Sequence, residues 1–95
     1  MNDPTYNNSV FWIEVEKIRP NPFQPRKEFN QEALNSLADS IRLYGVLQPL
    51  VVTRQEIERE DGLIVEYEII AGERRWRASR LAGLSHVPAI IRTGE

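Results

Sequence analysis

Residues 69–84 read IIAGERRWRASRLAGL: an apolar run, a glycine, one glutamate, then four arginines within seven residues. The change of pattern at Gly72 decides the fold. An apolar run that stops at a glycine reads as a buried strand, Glu73 to Ala82 as a helix closed by Gly83, and HVPAIIR (86–92) as a short final strand. Working back from the glycine, LIVEYEII (63–70) alternates and pairs with the β-branched run VLQPLVVT (46–53) through an acidic connection ending in the turn dipeptide Asp61-Gly62. That connection is expected to be a solvent-exposed hairpin tip.

Further upstream, Ala33, Leu34, Leu37, Ala38, Ile41 and Tyr44 recur at helical spacing. Asn30 is placed to cap this helix, Phe29 to staple onto Leu34, and Gly45 to end it in a left-handed conformation. RPNPFQPR (19–26) carries three prolines in six positions and reads as a stiff loop. Before it, VFWIEVEKI (10–18) puts Phe11, Ile13 and Val15 on one side of a half-buried strand, with Trp12 on the polar side to pack over an edge. Residues 1–9 lack apolar periodicity and read as a flexible leader, so one domain is expected over 10–95. The order β, loop, α, β, β, α, β predicts a small α/β (α+β) domain: a mixed sheet with packed helices.

Ninety-five residues with 41% hydrophobic and 27% charged residues suit one soluble globular unit. Cysteine is absent, which removes disulfides, thiolate metal sites and cysteine nucleophiles, and the single His86 builds no histidine metal site alone. No apolar stretch approaches the roughly 20 residues of a membrane span, and the expected address is cytoplasmic. The net charge is -2, yet the charge is uneven. Residues 1–70 hold seven Lys/Arg against twelve Asp/Glu, whereas residues 71–95 hold five Arg against two Glu.

Three stretches can carry chemistry. At Gly72-Glu73-Arg74-Arg75 the first N–H groups of a helix point outward and the arginines leave its first turns in several directions, so that Arg74 or Arg75 can clamp phosphate oxygens. The competing reading makes Glu73 a partner of the helix dipole and the arginines a solvated face or surface ion pairs with the acids elsewhere. Asn21 to Arg26 is a pre-stiffened loop whose Arg26 can reach an anion or can pair with Glu28. Gly45-Val46-Leu47-Gln48-Pro49 joins a helix end to a strand start, and Gln48 offers an amide able to read a planar base.

Taken in order, IRPNPFQPR, LADSIRLYGVLQPLVV and YEIIAGERRWRASRLAGLSHVPAII closely resemble the amino-terminal domain of the ParB family of chromosome- and plasmid-partitioning proteins, from about Val15 to Arg92. The resemblance implies a fold shared with sulfiredoxin and a CTP-binding, CTP-hydrolysing switch that works with Mg²⁺. It implies phosphate contacts from Gly72, Arg74, Arg75 and Arg26, a hydrolytic role for Glu73, and a cytosine pocket from Gly45, Val46, Leu47, Gln48 and Pro49. Family members also have Mg²⁺ ligands, a helix-turn-helix DNA-binding domain and a dimerisation domain, expected here beyond Glu95, so a homodimer on DNA in the nucleoid is the implied setting. The basic leader through which the family engages a ParA-type ATPase is not visible in residues 1–9. Other readings are a phosphotransfer enzyme on the same fold, resembling free-amino-acid kinases, and a binding-only module that docks DNA or protein through its arginine corner. Sulfiredoxin chemistry needs a cysteine at that corner, and none is present.

Overall fold

The computed structural model describes residues 9–23 and 28–93. The leader expected over residues 1–9 lies, apart from Ser9, outside the described residues, and so does Arg26. Strands β1 (Val10–Glu14), β2 (Ile18–Arg19), β3 (Leu50–Arg59), β4 (Gly62–Ala71) and β5 (His86–Arg92) form one sheet in the order β1-β5-β3-β4-β2. Helices α1 (Gln31–Tyr44) and α2 (Glu73–Leu81) complete the fold. Two pairs, β5 with β3 and β2 with β4, are parallel and the other two antiparallel, so the sheet is mixed as the element order predicts.

The core explains the layering. Ile13, Ile18, Leu50, Val52, Ile69, Val87 and Ala89 supply its sheet side, and Trp76 of α2 closes on them. A second cluster joins Ala38 and Ile41 of α1 to Ala78 of α2. Helix α2 therefore lies between the sheet and α1, held by large apolar burial on one side and alanine-scale close packing on the other. An Arg42 guanidinium donates to the Leu81 carbonyl at 3.1 Å, which ties the two helices at the C-terminal end of α2.

Helix α1 follows its pattern. The Asn30 side chain accepts from the Ala33 N–H at 2.9 Å, and Leu34, Ala38 and Ile41 are buried. Its last predicted apolar position, Tyr44, is instead 69% exposed, because the contact with α2 ends before it. Gly45 does have positive φ (79°), but with ψ of -177° it turns the chain outward into an extended segment rather than into the left-handed helical region.

Three expectations are corrected. The single strand expected over 10–18 is two short strands separated by a 3-10 turn at Val15–Lys17: the Val15 N–H still donates to the Ser85 carbonyl at 2.9 Å, in register with β5, but its carbonyl turns to accept from the Ile18 N–H. Trp12 packs over no neighbour that hides it: on the outer strand, opposite Pro88, it stays 68% exposed. Strand β3 starts at Leu50, not Val46, and continues to Arg59, so most of the acidic connection is itself strand. Its pairs run from Thr53↔Glu68 to Arg59↔Gly62, and only the Glu60-Asp61 turn is left as the exposed tip.

Candidate functional site: an arginine corner at the start of α2

Strand β4 ends at Ala71 and α2 begins at Glu73, so one residue, Gly72, makes the whole corner. Its φ of 103° lies where side chains are strained, and a Cβ there would stand 2.7 Å from Cδ2 of Leu50 and 3.1 Å from Nη1 of Arg75. Glycine is needed twice over, once for the turn and once for the close passage of Leu50 and Arg75. Gly72 caps α2 with no side-chain acceptor, so the first N–H groups of the helix are left for an outside partner.

A cavity of about 500 Å³ opens at this corner. Phe29, Leu37 and Ile70 give it an apolar wall, while Gly72, Arg74 and Arg75 give it N–H donors and positive charge, with Glu73 among them. The volume falls in the range of roughly 300–1,000 Å³ common for small-ligand sites. Arg74 is exposed and enters none of the ion pairs found among the described residues. Pairing to surface acids does not describe it, whereas an anion ligand and a solvated face both do.

Arg75 is held differently. Its Nη2 donates to Oε1 of Gln48 at 2.8 Å, across 27 residues of sequence. None of residues 45–49 lines the cavity, so this hydrogen bond is their link to it. With Oε1 occupied by Arg75, the Gln48 amide is left with its Nε2 as a donor for the acceptor edge of a planar base. Leu47 is 82% exposed and Pro49 half-buried, and Val46 packs against both apolar clusters, which anchors the loop on the core.

The remaining arginines of the run are engaged with aromatic rings. Arg77 stands 4.3 Å from the centre of the Phe29 ring and donates through Nε (3.1 Å) and Nη2 (3.0 Å) to Oε2 of Glu73. Arg80 lies 4.9 Å from the centre of the Trp76 ring. Phe29 is a site residue that sequence reasoning missed: read only as a staple for Leu34, it forms a wall of the cavity and the platform for Arg77. Its signal was ambiguous, since an aromatic residue just before a helix cap suits either use. Among the described residues no three His, Cys, Asp or Glu side chains gather to hold a metal.

The profile of the ParB N-terminal domain family matches residues 1–95. The probable chromosome-partitioning protein ParB of Neisseria meningitidis is 51% identical over 91 residues, covering 96% of this chain and 29% of that protein. Stage 0 sporulation protein J of Bacillus subtilis is 49% identical over 80 residues, 84% of this chain and 26% of its own length. This chain thus spans less than a third of these relatives. Among solved structures, the C-terminally truncated chromosome-partitioning protein ParB of Caulobacter crescentus complexed with CTP-gamma-S superposes with a TM-score of 0.76 at 42% identity, over 92% of this chain and 46% of that one. The same protein complexed to the centromeric parS site gives 0.73 at 44% identity, over 87% and 40%. Sulfiredoxin from Arabidopsis thaliana gives 0.69 at 29% identity, over 90% and 86%, so the shared fold expected from the sequence is observed.

Proposed function

The chain belongs to the ParB N-terminal domain family, and from that membership and the geometry of the Gly72 corner we propose that it is the CTP-binding and CTP-hydrolysing switch module of a ParB-type DNA-partitioning protein. The observation that carries this reading is the Arg75–Gln48 hydrogen bond. It couples a corner built for phosphate to a loop whose amide can address a base, and a nucleotide is the ligand class that needs both. The complex of a 42% identical ParB with CTP-gamma-S supports cytidine as that base.

In this reading the N–H groups following Gly72, together with Arg74 and Arg75, hold the triphosphate, with Arg26 closing from the proline-rich loop. Residues 45–49 address the cytosine. Hydrolysis adds a water oxygen to the γ-phosphorus and breaks that phosphorus's bond to the β,γ-bridging oxygen; Glu73 takes a water proton, which passes to the released phosphate. Mg²⁺ accompanies nucleotide in the family, but the described residues do not gather a donor set for it, and Oε2 of Glu73 is already engaged by Arg77. No step here is routed through the metal, whose protein ligands we place outside this chain.

The parent protein, in this reading, is a cytoplasmic, nucleoid-associated homodimer that reaches DNA through a separate domain. The complex of the Caulobacter relative with parS supports the DNA partner. No described helix is long and apolar enough to cross a membrane.

The test is a titration of the full-length natural polypeptide with CTP, ATP, GTP and UTP, followed by two variants. CTP is expected to bind at least tenfold more tightly than ATP, and equal affinity overturns the cytidine assignment. Arg74→Ala is expected to weaken CTP binding roughly 10- to 100-fold, since a charge-assisted contact is worth about 1.5–3 kcal/mol. Glu73→Ala is expected to slow hydrolysis while largely sparing binding. A binding-only module predicts the opposite, with no nucleotide affinity to lose.

A further inference from the structure

The cavity at the corner is lined by Phe29 and Glu73, but not by Arg77, although Arg77 touches both. That placement separates Arg77 from the phosphate-facing arginines. We propose that Arg77, laid flat on Phe29, is a positioning residue that holds the Glu73 carboxylate in the orientation in which it acts on water. The proposal rests on Glu73 being the hydrolytic carboxylate.

A glutamate and an arginine one helical turn apart form a common surface pair worth only a few tenths of a kcal/mol, and such pairs sample many rotamers. Here the geometry is more restrictive. Two donors, Nε at 3.1 Å and Nη2 at 3.0 Å, converge on one oxygen, Oε2, which anchors that oxygen at the guanidinium. The Glu73 side chain is only 16% exposed. The guanidinium plane is itself fixed by the ring of Phe29 at 4.3 Å, which comes from the segment before α1 rather than from α2. Oε1 lies outside the pair and is the oxygen available to a water proton. A lysine at 77 would supply charge but not two donors in a plane.

The same contact explains why a carboxylate is tolerated beside the phosphates. Arg77 offsets its charge from the side away from the cavity, and the start of α2 favours a negative group. Arg77 thus serves the site through Glu73, without touching nucleotide.

The experiment compares wild type, Arg77→Ala, Arg77→Gln and Glu73→Gln in the full-length natural polypeptide, reading CTP affinity with a slowly hydrolysed analogue and turnover separately. Arg77→Ala is expected to lower turnover about tenfold and to change affinity less than threefold; Arg77→Gln reads the same split should the alanine variant fail to fold. In wild-type protein the Arg77 Nε–H is expected to be protected from solvent exchange in ¹H–¹⁵N spectra and to lose that protection in Glu73→Gln. A fall in affinity as large as the fall in turnover makes Arg77 a ligand or a purely structural residue and overturns the proposal. Unchanged turnover in Arg77→Ala, with Glu73→Gln inactive, overturns positioning alone. Full turnover in Glu73→Gln overturns the hydrolytic role of Glu73 and the proposal with it.

Discussion

Gly72→Ala is expected to lower the midpoint of thermal unfolding by roughly 8–40 °C and to weaken CTP binding in the same variant. Two costs add at this position. A side chain at φ 103° carries backbone strain of about 1–2 kcal/mol. The new Cβ also stands 2.7 Å from Cδ2 of Leu50, a residue with no exposed surface and so little room to turn aside, which adds about 1–3 kcal/mol of overpacking. For a domain of this size each kcal/mol shifts the midpoint by about 4–8 °C. The same Cβ lies 3.1 Å from Nη1 of Arg75, so the guanidinium whose Nη2 donates to Gln48 must shift by a few tenths of an ångström, and binding is expected to weaken with it. Gly83→Ala is the contrast: φ is 83° but nothing lies within 4 Å, so it carries the strain without the overlap. Scanning calorimetry of the two variants checks the account. Equal midpoints would show that Leu50 gives way and that close approach is not the reason for glycine at 72.

The strand-to-helix corner was legible in the sequence because its determinants are contiguous. A strand end, a glycine with positive φ and a helix start fall within five residues, and local pattern reports them directly. The strand at 86–92 was equally legible, its bounds matching those observed. Strand β3 beyond Thr53 was not. Gln55, Glu56, Glu58 and Arg59 are exposed, so the ribbon they form with β4 has no buried face to impose alternation on the sequence. The break at Val15 was hidden for the opposite reason. Ile13 and Val15 are both buried, as continued alternation requires, although only Ile13 belongs to the strand.

What sequence could not supply at the site was the pairing of distant segments. Gln48 with Arg75 and Phe29 with Arg77 are contacts made by the packing of α2 between the sheet and α1. The family resemblance already sets Arg74 and Arg75 apart from Arg77 and Arg80, and tertiary structure shows how the four are divided. Arg74 and Arg75 line the cavity, whereas Arg77 and Arg80 each cover an aromatic ring. This division explains how a chain of net charge -2 sustains an arginine cluster at one corner. Half of its cations are spent on packing and on holding Glu73, so the uncompensated charge at the cavity is smaller than the sequence suggests.

All of this geometry depends on where α2 sits, and Trp76 sets that position. Trp76→Ala is expected to destabilise the domain by about 3–5 kcal/mol, the cost of truncating a large buried aromatic. Trp76 is 6% exposed, fills the space between α2 and the sheet cluster, and donates its indole N–H to the Val15 carbonyl at 3.3 Å. Against a total stability of about 5–15 kcal/mol, expected near the low end for so small a core, such a loss leaves little margin. Trp76→Phe separates the two contributions: it keeps most of the apolar fill and removes the indole donor, while the Val15 carbonyl still accepts from the Ile18 N–H, for an expected cost of about 0.5–1.5 kcal/mol. Urea unfolding midpoints with unchanged slopes should therefore fall in the order wild type, Trp76→Phe, Trp76→Ala. The phenylalanine variant should retain the corner and its nucleotide affinity once folded, because Gly72, Arg74 and Arg75 keep their backbone frame. If Trp76→Ala unfolds no more easily than Trp76→Phe, the indole hydrogen bond to Val15 rather than ring burial holds α2 and its first turn on the sheet.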